Sequence, residues 1–159
     1  MSVRIANEVL IPEIAAHLRA GKDVLFTPSG NSMRPFIEGE RDSVVLRYSD
    51  TVRVGDICLV AMRGPRDVHY VLHRVIRVED DRVTLMGDGN LQGEEHVRRD
   101  DVLGTVVRIL SPNGRTKPLT RGRLWYALLR WRPFALKVYR HTVVPYCYPT
   151  KQEQQTTTI

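Results

Sequence analysis

Apolar positions along the chain recur with two different periods. In residues 7–20, Val9, Leu10, Ile14, Ala15 and Leu18 fall at helical spacing. Asn7 stands where a cap belongs, Pro12 lies in the first turns, where proline is tolerated, and Gly21 follows the end. The pattern predicts one short amphipathic helix packed on the body. Beyond it, short apolar runs predict strands over Val24–Thr27, Ser43–Arg47, Ile57–Met62, Val68–Val78, Val83–Met86 and Val102–Leu110. Turn clusters separate them: Pro28-Ser29-Gly30-Asn31, Val54-Gly55-Asp56, Gly64-Pro65-Arg66-Asp67, Gly87-Asp88-Gly89-Asn90 and Pro112-Asn113-Gly114. Strands this short and this regularly punctuated predict a mainly β body.

Residues 121–142 have another character. Leu124, Trp125, Leu128, Leu129, Trp131, Leu136 and Val138 are interleaved with Arg121, Arg123, Arg130, Arg132, Lys137 and Arg140, and the stretch has no acid. Pro133 is expected to interrupt any helix there. Residues 150–159 are polar and predicted to be disordered. The organisation read from these changes is a helical start over 1–22, a β body over 23–115, a basic aromatic helical segment over 116–149 and the polar tail.

Charge sharpens that division. Residues 1–120 carry 17 Lys+Arg against 17 Asp+Glu, and residues 121–159 carry seven against one. The formal excess of +6 therefore sits in the last quarter of the chain. A neutral body offers little electrostatic footprint for nucleic acid, so none is expected as a partner. The basic aromatic stretch 121–142 suits two arrangements equally, an anionic membrane surface or a helix docked on the body with its arginines in water. No uninterrupted apolar run of about 18 residues is present, as an ordinary transmembrane helix would need. The N-terminal stretch is broken by Glu8, Glu13 and His17, unlike a secretory signal. Cys58 lies in an apolar run, Cys147 is far from it, and no Cys/His spacing suggests a metal. These features predict a reducing, cytoplasmic setting with peripheral contact at the inner face of the membrane, and no cofactor or metal.

Candidate chemistry centres on Gly30-Asn31-Ser32-Met33-Arg34-Pro35. A serine nucleophile needs an exposed hydroxyl on a tight turn, a base for its proton and N–H donors for the oxyanion. Gly30 permits unusual backbone angles, Pro35 fixes the exit and Met33 can anchor the turn on apolar surface. The base is narrowed by counting. The four lysines are Lys22, Lys117, Lys137 and Lys151, and none lies between Ser32 and the end of the predicted β body's last long strand. That leaves His69, His73 and His96, since imidazole titrates near pH ~6.5. His73 sits inside the apolar strand Tyr70–Ile76, where a side chain is held rigidly, whereas His69 lies at the strand's edge. A third group should orient the base. Asp88 is the first candidate and Glu94 the second. Ser32, His73 and one of these acids form the predicted catalytic set, with Gly30, Asn31, Met33 and Pro35 as substrate-binding residues.

The order of these blocks resembles the type I signal peptidases and LexA-like serine peptidases. Ser32-Met33-x-Pro35 is followed by Gly39 through Val45, Val54-Gly55-Asp56-Ile57, His73-Arg74-Val75, Gly87-Asp88-x-Asn90 and Gly104-Thr105-Val106-Val107. The resemblance spans residues 26–110 and is closest to the endoplasmic-reticulum and archaeal branch, which carries His where other members carry Lys. The chain is also similar to small LexA/signal-peptidase-like proteins of Bacteroidetes. The resemblance implies a β-ribbon fold with a short N-terminal helix and a C-terminal amphipathic helical segment. It also implies an extended peptide or protein substrate lying along a strand edge. Its activity would be cleavage of a leader or precursor peptide through a Ser32 acyl-enzyme with His73 as base. Two departures stand out. Gly39-Glu40-Arg41-Asp42 replaces a Gly-Asp pair, and Gly30 occupies the place of a serine that aids the oxyanion hole in many relatives. A non-catalytic peptide-binding module on the same fold is the alternative. A self-cleaving repressor is disfavoured, because one short helix before Ser32 leaves no room for a helix-turn-helix. Nothing in the sequence speaks to oligomeric state.

Overall fold

The computed structural model describes residues 7–65, 67–90, 92–119 and 131–143. The first helix, α1 (Asn7–Arg19), is followed by β1 (Val24–Phe26), β2 (Ser43–Arg47), β3 (Ile57–Arg63), β4 (Val68–Glu79), β5 (Arg82–Met86) and β6 (Glu95–Arg98). A single 3-10 turn (Arg99–Asp101) leads into β7 (Val102–Leu110), then β8 (Thr116–Lys117), and α2 (Arg132–Thr142) closes the described chain. The fold is mainly β, with a short helix near the N-terminus and a small one toward the C-terminus, as the apolar pattern and the resemblance predict.

Antiparallel pairing joins the strands in the order β1-β2-β7-β3-β4-β5-β6, with β8 added to β7. β3 is central and carries the apolar run Ile57-Cys58-Leu59-Val60-Ala61, every residue of it buried. Alternation sends these side chains to two cores. Ile57, Leu59 and Ala61 join Ile11, Ile14, Ala15 and Leu18 of α1, together with Met33 and Ile37 from the connection after β1. Cys58 and Val60 face the other way, toward Val75 of β4, Val83 and Leu85 of β5 and Val97 of β6. A strand buried on both faces has no polar alternation, which is why this run reads as continuous.

The helix docks through Ile11, Ile14 and Leu18, all at 5% exposure or less. Each such aliphatic burial contributes about 1.5–3 kcal/mol before ordering costs. The end of α1 is closed by the Gly21 N–H returning to the Leu18 carbonyl and the Lys22 N–H to that of His17.

Pro133 lies in the first turn of α2, where its missing N–H is no loss. The expectation that it interrupts a helix within 121–142 falls on residues 121–130, which lie outside the described residues. The strands β6 and β8 were not expected from the sequence. Both are short and polar, and β6 carries only one apolar residue, Val97. Of the basic aromatic stretch, residues 121–130 lie outside the described residues, as do Cys147 and the polar tail.

Candidate active site

The connection from β1 to β2 makes a helical turn over 31–37. Its bonds run from the Arg34 N–H to the Asn31 carbonyl, and from the Phe36 and Ile37 N–H groups to that of Met33. Met33 and Ile37 are buried in the core beneath, so the turn is pinned and Ser32 is carried on its rim. Gly30 has φ +85°, and a Cβ on Gly39 would stand 2.0 Å from the Gly30 carbonyl oxygen. No other residue fits at 39 without moving that backbone, so this close crossing closes the loop beneath Ser32.

His73 comes from the middle of β4, opposite Cys58 of β3, and is 5% exposed. Its Nε2 lies 2.9 Å from Ser32 Oγ. Its Nδ1 lies 2.9 Å from Glu95 Oε2, at the first residue of β6. The carboxylate is only an acceptor, so Nδ1 carries the proton and donates it to Glu95. Nε2 is then left as the acceptor for the Ser32 hydroxyl. A serine, an imidazole and a carboxylate thus stand in one hydrogen-bonded row, in a mostly buried setting.

The two acids predicted to orient His73 do not reach it. Asp88 pairs with Arg74 instead, through Nε to Oδ1 at 2.8 Å and Nη2 to Oδ2 at 2.6 Å. Arg74 is the next residue on β4, so its side chain leaves by the opposite face from His73. An acid on Arg74's face is barred from the imidazole. Glu94 is largely exposed and lies 3.6 Å from Arg77. Glu95, its neighbour, does what was expected of these two. Sequence reading missed it because β6 was not seen, and without a strand the facing of residues 94 and 95 is undetermined. The available signal was Val97. It is buried beside Cys58 and Val75, and two residues earlier on the same face stands Glu95.

Asp88 has a different task. Its pair with Arg74 is 2% exposed on both sides, and Arg74 Nη1 also donates to the Gly55 carbonyl at 2.8 Å. The same loop sends the Gly89 N–H to the Ser32 carbonyl at 2.7 Å. A Cβ on Gly87 would stand 2.6 Å from that carbonyl oxygen. The Gly87–Asn90 loop is therefore a brace behind the Ser32 backbone, bolted to β4 by the Asp88–Arg74 pair. Removing one partner strands a buried charge, so Asp88→Ala is expected to lower folding stability by about 3–5 kcal/mol. Glu94→Ala, at an exposed position, should stay within about 0.5 kcal/mol. Urea unfolding of the two variants checks this contrast.

A cleft of about 210 Å³ opens beside Ser32, between Pro28–Gly30 on one side and Tyr70–His73 on the other. Gly30 and Met33, two of the positions expected to bind substrate, are among its lining residues. Asn31 is exposed and its carbonyl caps the turn, while Pro35 lines a separate cavity with Phe36 and Arg74. β5 pairs with β4 only from Arg74 onward. The cleft-side edge of Val68–His73 has no strand partner among the described residues.

The remaining bases stand elsewhere. His69 is exposed and pairs with Asp67 at 3.0 Å, and His96 bonds Thr84 Oγ1 at 3.2 Å. Lys117 is tied to Asp42 and to the Phe36 carbonyl. Burial alone would raise the Asp42 carboxyl. The bonds from Lys117, Arg41 and the Glu38 N–H outweigh it and hold Asp42 below the usual carboxylate range. Burial pushes the Cys58 thiol up to about 12, so it is no thiolate nucleophile at neutral pH.

A mainly antiparallel β body thus holds a serine, a buried histidine and a carboxylate in one hydrogen-bonded row, an arrangement that serine peptidases use. The family comparison agrees. The chain matches the Peptidase S24-like family model over residues 3–107, and it belongs to that family, within the LexA and signal-peptidase-like serine peptidase superfamily. Comparison with curated proteins gives no match.

Proposed function

We propose that this chain is an active serine endopeptidase that cleaves an extended leader or precursor peptide, with Ser32 as nucleophile, His73 as general base and Glu95 as its orienting acid. The observation that carries the reading is the pair of 2.9 Å contacts running from Ser32 Oγ through the imidazole to Glu95. The Ser32 hydroxyl gives its proton to Nε2 as the oxygen attacks the scissile carbonyl carbon. Glu95 stabilises the imidazolium so formed without taking the Nδ1 proton. Main-chain N–H groups of the 31–37 turn are the candidate oxyanion donors. The tetrahedral species collapses as Nε2–H protonates the departing amine, leaving an ester on Ser32. Water, deprotonated by His73, then releases the acid product and restores the hydroxyl.

The open edge of Val68–His73 supports the same reading. A peptide laid there as an added strand would bond to β4's main chain and bring its carbonyl beside Ser32. Met33, Ile37 and Leu72 make part of the cleft wall apolar. The reading is tested by incubating the protein with a library of unstructured decapeptides and sequencing the products. Internal cleavage that vanishes in Ser32→Ala is expected. Retention of peptides by both forms with no cleavage by either would make the chain a binding module.

A further inference from the structure

The second helix presents an apolar stripe to solvent. Trp131, the capping residue just before α2, and Phe134 and Val138 within it stand at positions i, i+3 and i+7, which fall on one side, and are 68%, 68% and 46% exposed. Leu136, on another side of the helix, is 1% exposed and anchors it. Lys137 and His141, both exposed, border the stripe. The helix sequence RPFALKVYRHT contains no acid and adds Arg132 and Arg140. Single exposed apolar residues are ordinary, but two aromatics and a valine aligned on one helix side, on an acid-free helix, are not.

We infer that α2 is a peripheral docking element for an anionic lipid surface. Trp131 and Phe134 would enter the headgroup boundary and the surrounding cations would meet lipid phosphates and carboxylates. The charge argues for this occupant over an acid-rich or neutral protein groove. The whole formal excess of +6 is concentrated in residues 121–159, where it would add long-range attraction to a negative bilayer. The apolar stripe argues against a nucleic acid, whose phosphates would be met by cations rather than by exposed aromatic and aliphatic faces. Length argues for lying on the surface. The 11 residues of α2 span about 16 Å against a hydrocarbon core of about 30 Å. No helix among the described residues is long and apolar enough to cross a membrane.

The test uses the full chain and vesicles of phosphatidylserine and phosphatidylcholine in equal parts, against vesicles of phosphatidylcholine alone. Preferential sedimentation with the anionic vesicles is expected, weakening as salt rises. Combining Trp131→Ala, Phe134→Ala and Val138→Ser should lower that partition about tenfold, and Lys137→Glu should lower it about threefold. In a Trp125→Phe background, Trp131 emission should shift to the blue on anionic vesicles, a readout that leaves the stripe intact. Equal partition of the triple variant, equal binding to neutral vesicles, or no binding would each overturn the inference. So would a lipid-free dimer that the triple variant dissolves, which would assign the stripe to a second copy of the chain.

Discussion

Replacing Ser32 by Ala is expected to leave the fold intact and to remove peptide hydrolysis down to background, a loss of about 10⁴-fold or more. The side chain deleted is one hydroxyl on a turn whose stability rests on Met33, Ile37 and the Gly89–Ser32 main-chain bond, none of which the substitution touches. Its effect should therefore fall on the chemistry and spare the unfolding midpoint. His73→Gln should cost nearly as much, because an amide cannot take the Ser32 proton. The double variant should be no worse than either single one, since the two groups act as a unit. Rates on any cleaved decapeptide, with circular dichroism as the folding control, check all three. Losses that add would mean that His73 and Ser32 act separately.

The second large effect is expected at Glu95. Glu95→Gln keeps the shape but replaces an acceptor by a group that can present its own N–H to Nδ1. The imidazole can then adopt the tautomer with its proton on Nε2, which turns away from accepting the Ser32 proton and loses the partner for the imidazolium. A fall in turnover of about 10²–10⁴-fold follows. Glu94→Gln, one residue away, should remain within about twofold, since its side chain is exposed and its ion-pair partner among the described residues is Arg77 at the surface. The comparison is informative because the two residues are adjacent and carry the same side chain, yet Glu95 reaches His73 while Glu94 pairs with Arg77 at the surface. Equal effects at both positions would mean that Glu95 acts through general charge rather than through its bond to His73.

The contrast between these two glutamates also marks where sequence reading stopped. β2 and β7 were legible to the residue, since Ser43–Arg47 and Val102–Leu110 are apolar runs closed by turn residues. β6 was not, because Glu95-His96-Val97-Arg98 holds one apolar side chain and its pairing with β5 is a tertiary fact. The placement of Ser32 and His73 was legible because a glycine-flanked turn and a histidine in an apolar strand are local signals. The acid was not, because which face a carboxylate takes depends on a strand whose period could not be seen. Asp88 misled for a related reason. Its Gly-Asp-Gly setting signals a turn near the site, which it is. Only the alternation of His73 and Arg74 on β4 decides that it serves the arginine.

The braced turn, the rigid strand and the carboxylate behind it make one claim: Ser32 is an activated hydroxyl. Treatment with a fluorophosphonate, followed by proteolytic digestion and mass mapping, measures that directly. The account predicts one adduct per chain, on Ser32, with formation slowed strongly in His73→Gln and Glu95→Gln and little in Glu94→Gln. No adduct at any pH between about 6 and 9, a range spanning the ordinary imidazole titration, or an adduct on another serine at equal rate in all variants, would contradict it.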